Sequence, residues 1–446
     1  MNDSGYNLDK GIRRNRLQGD FSFVSVCSAH PDVIAASLDL AEELASPIIV
    51  EATSNQVNQF GGYTGMQPAD FIAFVTDIAA RSGCSTGRIL FGGDHLGPQA
   101  WRDRPSEKAM AMAEDMVRSY VRAGFTKIHL DCSEGCRGEA AQLPDEEVAT
   151  RAARLARVCE DESAGGPTLS YVIGTEVPPP GGSRMEHAAI IPTDPARARR
   201  TIDVHRAAFE REGIAEVWGR VRALVVQPGL EFGPDHIDHF DCSAPDRLSA
   251  ILEDFPDMAF EAHSTDYQRA EVYPDLAARH FAVLKVGPAL TYAYREAIYA
   301  LSHLDGWLTG SPHISQVMDG LMRAEPKFWA GHYREADDNA LRLMRHFGYA
   351  DRIRYYWAHP LAQKAVSELG DRIDAAASVL TRPALSQYFA ADEIAWALDR
   401  RSRLFSNLIH AHIRTALRPY WIGSEQISSQ GNLGAGQLPA PKIQNS

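Results

Sequence analysis

Ile89-Leu90-Phe91-Gly92-Gly93-Asp94-His95-Leu96-Gly97-Pro98 is the stretch from which the fold can be read. Its first three residues are bulky and partly β-branched, which suits a strand buried on both faces, and a helical pattern begins near Ser106. An acid and an imidazole therefore stand side by side where a strand gives way to a loop. In a barrel or a doubly wound sheet that is the rim where ligands and metals are held, because the loops vary over rigid strands. Asp94 and His95 can divide the work there, one binding a metal and the other moving a proton.

Outward from this loop the chain alternates. Strands are expected over 21–27, 47–51, 89–91, 126–131, 169–176, 221–226, 258–263 and 281–286, with helical spacing between them. After the third of these, Met110, Ala113, Val117, Tyr120 and Val121 fall on one helix face. Eight such strand-helix units predict an α/β fold, a (β/α)8 TIM barrel over residues 21–303. Residues 1–20 read as a polar N-terminal segment. Beyond Tyr299 the periodicity is helical without a strand, as at Leu341, Leu343, Met344 and Phe347, so an α-helical C-terminal extension is expected over 304–420. Residues 421–446, rich in Gly, Gln, Ser and Asn, read as a flexible tail.

Length alone allows a large α/β barrel with additions or two to three smaller domains. The 446 residues exceed one ordinary core of about 100–200 residues, and 45% hydrophobic with 23% charged residues is the make-up of a soluble globular chain. A net charge of −13 argues against nucleic acid as a partner. No run approaches the roughly 18 apolar residues of a membrane span, and residues 1–16 lack an apolar signal core, so a cytoplasmic protein without a membrane partner is expected. The six cysteines are spread thinly, as reduced thiols are, and Cys132 and Cys136 lack a second pair at structural-zinc spacing.

Chemistry gathers at the strand ends. In order they carry Glu51 with Ser54, Asn55 and Gln56, then Asp94 and His95, His129 and Asp131, Glu176, Gln227, Glu231, Glu261 with His263 and Asp266, and Lys285 with Gly287. Such a rim suits a sugar or sugar-phosphate ligand held beside a divalent metal, which polarises a ketose carbonyl while a carboxylate moves the proton. His95 and His263 are the first candidate metal ligands and Glu176 the third, with Asp94 and Glu176 as the proton-transfer acids. Ser54, Asn55, Gln56, Asp131 and Gln227 are expected to contact substrate. His129, flanked by Ile128 and Leu130, reads as a packed and hydrogen-bonded side chain, and Glu51 and Glu261 as buried carboxylates facing the helices. Phosphate is expected in the loops after the last two strands, at Thr265 and Gly287, with Lys285 beside them and Arg354 reaching back from the extension. No G-x-x-x-x-G-K-[ST] loop is present, so nucleotide-dependent phosphoryl transfer has no support.

Val50 to Met66, Gly92 to Pro98, Tyr120 to Ser133, Ser170 to Val177, Glu261 to Gln268 and Leu284 to Thr291 together resemble the D-tagatose-1,6-bisphosphate aldolase accessory subunits of the GatZ/KbaZ type, over about residues 47–357. The resemblance implies a barrel of class II aldolase type, a divalent metal (zinc, or alternatively manganese) and a place in tagatose or galactitol catabolism. It also implies a small class II aldolase subunit as partner, which the chain supports without itself turning over substrate. Some relatives act as metal-dependent ketose 4-epimerases, and the family has also carried the label tagatose-6-phosphate kinase. By the same resemblance Asp94-His95 corresponds to the proton-transfer acid and metal ligand of strand 3. Ile128 to Asp131 with Ser133 corresponds to strand 4, Glu176 to the acid on strand 5 and His263 to the ligand on strand 7. Strand 6 departs from the pattern, because Gln227 stands where a histidine ligand is expected and a neutral amide oxygen holds zinc less well than imidazole does. An accessory subunit is therefore the first expectation. A ketohexose-phosphate 4-epimerase working by retro-aldol cleavage and re-closure is the second.

Overall fold

Strands rich in Val, Ile, Leu and Ala on both faces can be buried only inside a closed sheet with helices outside it. The computed structural model, which describes residues 7–166, 168–174, 190–333, 337–400 and 403–422, has that arrangement. β1 (Phe23–Cys27), β2 (Ile48–Thr53), β3 (Ile89–Leu96), β4 (Lys127–Leu130), β5 (Ser170–Ile173) and β6 (Val221–Val225) lie side by side and parallel. A short antiparallel hairpin, β7 (Glu231–Phe232) with β8 (Ile237–Asp238), interrupts the series. β9 (Ala259–Ala262) and β10 (Phe281–Val286) then complete the barrel, β10 pairing with β1 in the register Phe23 to Val283. The expected (β/α)8 barrel is thus the fold.

Residues 1–20 hold more than a polar segment. α1 (Leu8–Gln18) is capped by Asn7, whose side chain accepts from the Lys10 N–H at 2.8 Å, and it ends at Gly19 with φ 65°. Leu8 and Ile12 pack on Phe23, Ile49, Ala259, Ala282 and Val283 at the N-terminal end of the strands. The Asn15 amide donates to the carbonyls of Phe21 and Ala277 at 2.7 and 3.0 Å. The helix closes the N-terminal end of the barrel.

α2 (Pro31–Glu43), α3 (Pro68–Ser82), α4 (Ser106–Ala123), α5 (Asp145–Ser163), α6 (Pro195–Arg211), α7 (Val272–Ala278) and α8 (Pro288–Thr309) form the outer layer. Between β8 and β9, where helical spacing is expected, the chain makes a 3-10 turn at Ser249–Asp254. Beyond α8 the extension is helical as expected: α9 (Ser315–Ala324), α10 (Asp338–Phe347), α11 (Pro360–Ala375), α12 (Arg382–Leu385), α13 (Ala391–Asp399) and α14 (Leu404–Leu417). It returns to the barrel, for α14 lies against both α2 and α8. Arg414 ion-pairs with Asp39 and Glu43, and His410 meets Asp32 at 3.0 Å. No helix among the described residues is long and apolar enough to cross a membrane.

Candidate active site

The third strand does not stop at Phe91. β3 continues through Leu96, so Asp94 and His95 sit within the strand, where the pairing with β4 shifts register between Gly93 and Leu96. His95 has φ 46°, in the left-handed region that an ordinary side chain occupies only when its surroundings hold it there. Gly92 matters for a different reason: a Cβ there would stand 2.7 Å from Glu51 Oε1, so its absence lets the Glu51 side chain lie across the barrel interior. Glu51 and Glu261 therefore face the lumen, correcting the expectation that they face the helices. Between them Lys127 Nζ reaches Glu51 at 2.5 Å and Glu261 at 2.8 Å, all three side chains being buried.

Above this triad the ionisable groups converge. Asp94 is fully buried, lies 3.0 Å from His129 Nδ1 and forms an ion pair with Lys285. Burial works against its charge, but His95, Lys285 and His129 outweigh that and hold its carboxyl well below the usual range. His95, His129 and His263 have ring centroids 4.9, 5.0 and 5.3 Å apart pairwise. His95 Nδ1 is held by Asp131 at 2.6 Å and His263 Nε2 by Glu261 at 2.9 Å. Asp131 is itself fixed by the Ser133 N–H and hydroxyl at 3.0 and 2.7 Å. Burial, with Lys285 and His95 nearby, keeps His263 neutral by pushing its pKa well below that of a free imidazole.

One ligand atom from each of Asp94, His95, His129 and His263 lies within 4.8 Å of the others, a cluster that can hold a metal ion. The donor set fits a divalent ion. Each carboxylate behind an imidazole fixes ring and tautomer, leaving the other nitrogen, Nε2 of His95 and Nδ1 of His263, for the metal. His129 departs from expectation in part. It is fully buried and both ring nitrogens have partners, Nε2 lying 3.2 Å from the Gly174 carbonyl, yet it belongs to the cluster.

The cluster lies at the floor of a cavity of about 1040 Å³ that runs up between the rim loops and the extension. Asn55, Gln56, Tyr63, Lys285 and Ser264 line it from the barrel, and Phe328, Arg354, Tyr355 and Trp357 cover it from the extension. At the start of α8 the N–H groups of Gly287 and Ala289 both donate to Asp266 Oδ1, at 3.0 and 2.8 Å.

Residues 8–425 match the profile of the D-tagatose-1,6-bisphosphate aldolase subunit GatZ/KbaZ-like family. The chain belongs to that family. A D-tagatose 6-phosphate 4-epimerase of Agrobacterium fabrum is 48% identical over 355 residues, which cover 78% of this chain and 83% of that protein. A crystal structure described as a probable tagatose 6 phosphate kinase from Sinorhizobium meliloti superposes with a TM-score of 0.82 at 44% identity, over 90% of this chain and 99% of that one.

In this GatZ/KbaZ-like chain the family match takes in α1 and the extension, well beyond the 47–357 stretch that carries the motifs. Of the residues expected at the site, Asn55, Gln56, Asp94, His95, His263, Lys285, Gly287 and Arg354 line the cavity, and Asp131 stands behind His95. Three are turned away. Ser54 is fully buried, with its carbonyl on the Asn58 amide. The Thr265 hydroxyl donates to the Lys285 carbonyl at 2.6 Å, and Gln227 Oε1 accepts from the N–H groups of Gly229 and Leu230 at 2.8 and 3.0 Å. The Thr265 and Gln227 side chains brace loops, and none of the three residues lines the cavity. Gly287 offers no spare N–H, since Asp266 takes it. Glu176 lies outside the described residues. Where strand 6 has Gln227 in place of an imidazole, His129 on β4 brings a third one to the cluster.

Proposed function

We propose that this chain is a metal-dependent 4-epimerase of a ketohexose phosphate, interconverting the 6-phosphates of D-tagatose and D-fructose by retro-aldol cleavage and re-closure. The observation that carries the reading is Asp94: a fully buried, ionised carboxylate in reach of three imidazoles and a lysine, at the floor of a cavity of sugar-phosphate size. Burying such charges costs stability that apolar packing would not, so a scaffold that only supported a partner would gain by losing them. The name of the Agrobacterium relative supports the same reading and reverses the order of the two sequence expectations.

His95 and His263 would hold the divalent ion through their free ring nitrogens, with His129 joining them through Nδ1 where it gives up its contact with Asp94, and zinc suits imidazole ligands. When bound, it supplies a Lewis acid for the ketose carbonyl. Asp94 takes the C4 hydroxyl proton as the C3–C4 bond opens, and returns it when the bond re-forms on the other face of the aldehyde. Lys285 holds Asp94 in place and in its charged form. Arg354 lines the cavity with its guanidinium fixed on the Ala350 and Asp351 carbonyls and the Tyr355 hydroxyl, at 2.6, 3.0 and 2.9 Å, and its charge attracts the substrate phosphate. The aromatic cover of Phe328, Tyr355 and Trp357 keeps water out and both three-carbon halves in.

The family description favours a second reading, an accessory subunit for a small class II aldolase partner. One experiment separates them. D-tagatose 6-phosphate is incubated with the purified chain and a divalent metal, without ATP, and followed by NMR. Signals of D-fructose 6-phosphate are expected. A spectrum that stays unchanged for the chain alone, with turnover of the 1,6-bisphosphate only after a small class II aldolase subunit is added, would establish the accessory reading instead.

A further inference from the structure

The start of α8 is where a barrel of this kind would seat a phosphate, because backbone N–H groups and the positive end of a 22-residue helix converge there. In this chain the place is taken. Asp266, 2% exposed and in the cavity wall, gives one carboxylate oxygen to both the Gly287 and the Ala289 N–H. The anion that the helix end favours is supplied by the chain itself.

A phosphate arriving at this end of the cavity has to displace that carboxylate or stand against it, and like charges this close repel strongly where water is excluded. A sugar hydroxyl meets no such barrier, since it donates to the carboxylate in a charge-assisted hydrogen bond. The distinction bears on two substrate classes already in view: the family is named for a 1,6-bisphosphate, and the Agrobacterium relative for a 6-phosphate.

We propose that Asp266 is a specificity-determining residue, admitting a ketose that carries one phosphate and turning away its 1,6-bisphosphate. The proposal rests on the ketose-phosphate reading of the site. The sugar's unphosphorylated end meets Asp266 and its phosphate lies away from that carboxylate, within the cavity that Asp266 and Arg354 both line.

The test is calorimetric binding of D-fructose 6-phosphate and D-fructose 1,6-bisphosphate to the metal-loaded wild type and to two variants. Asp266→Asn keeps an oxygen for both N–H groups and removes the charge; Asp266→Gly frees both N–H groups. Wild type should prefer the monophosphate by about tenfold or more. In Asp266→Asn the preference should narrow by about the same factor, and in Asp266→Gly the bisphosphate should draw level or lead. Thermal melting checks that each variant is folded, and the isosteric Asn decides if the Gly variant is not. Equal binding of the two sugars by wild type, or an unmoved ratio in a folded Asn variant, overturns the role of Asp266 while monophosphate binding leaves the reading of the site intact. Wild type that binds neither sugar overturns both.

Discussion

Asp131 does its work through a ring it does not belong to. It holds His95 Nδ1 at 2.6 Å, and its own carboxyl is kept ionised because His95, His129 and Ser133 together outweigh the effect of burial. Asp131→Asn, which preserves shape, should weaken bound metal by about 10–100-fold in a chelator competition. His95→Ala and His263→Ala should each lower metal content further by elemental analysis, and unchanged content in both would remove the ligand assignment. Lys127 makes a second test at this scale. Its removal leaves Glu51 and Glu261 buried with no cation between them, so Lys127→Met should cost about 3–5 kcal/mol in urea unfolding. Adding Glu51→Gln and Glu261→Gln should recover much of that loss. Asp94, His95 and His263 were legible from the sequence as polar types at strand ends. Lys127 is not singled out by the sequence reading and His129 is read there only as a packed, hydrogen-bonded side chain, although a signal for both exists. In Lys127-Ile128-His129-Leu130 the two polar residues alternate with the two apolar ones, which in a barrel means polar towards the lumen and apolar towards the helices. Apolar neighbours in sequence are therefore no guide to what surrounds His129 in space.

Elements were legible where their apolar period was complete and illegible where a few residues did the packing. α1 has only Leu8 and Ile12 as an apolar stripe, with Gly11 set against the Phe23 ring and Asn15 tied to two carbonyls, too sparse a pattern to read as a helix that seals a barrel. The position of α14 was beyond the sequence altogether, because Arg414 and Asp39 are separated by 375 residues. That helix is also held by His412, which lies between Glu393 of α13 at 3.0 Å and Glu296 of α8 at 3.3 Å. Burial opposes its charge, but the two carboxylates prevail and raise its pKa from 6.5 to about 9. A folded-state pKa above the unfolded one gives stability that is fully present below pH 6.5 and is lost as the pH rises to about 9. Unfolding free energies at pH 6 and pH 9.5 should therefore fall by on the order of 1–3 kcal/mol more in wild type than in His412→Gln. Parallel profiles for the two proteins would show that the His412 contacts add nothing.

The whole molecule divides its tasks between the two ends of the barrel. The C-terminal end carries the cluster, the cavity and the extension that covers it, whereas the N-terminal end is closed by α1 and, among the described residues, presents no group that the proposed chemistry uses. Stability and function should then come apart in one experiment. Deleting residues 1–19 removes the burial of Leu8 and Ile12, a loss of about 3–6 kcal/mol at roughly 1.5–3 kcal/mol for each of the two side chains, and it uncovers Phe23 as well. Because β3, β4 and β9 hold the imidazoles by their own pairing, metal affinity of the shortened chain, measured well below its lowered melting temperature, should stay within about twofold of wild type. Point substitution checks the same division without shortening the chain: Ile12→Ala should cost about 2–4 kcal/mol in unfolding and leave metal affinity unchanged. Should affinity fall in step with stability in both proteins, the bottom of the barrel would be coupled to the site through the strands themselves. The register shift in β3 that sets Asp94 and His95 would then depend on packing at the far end of the same strands.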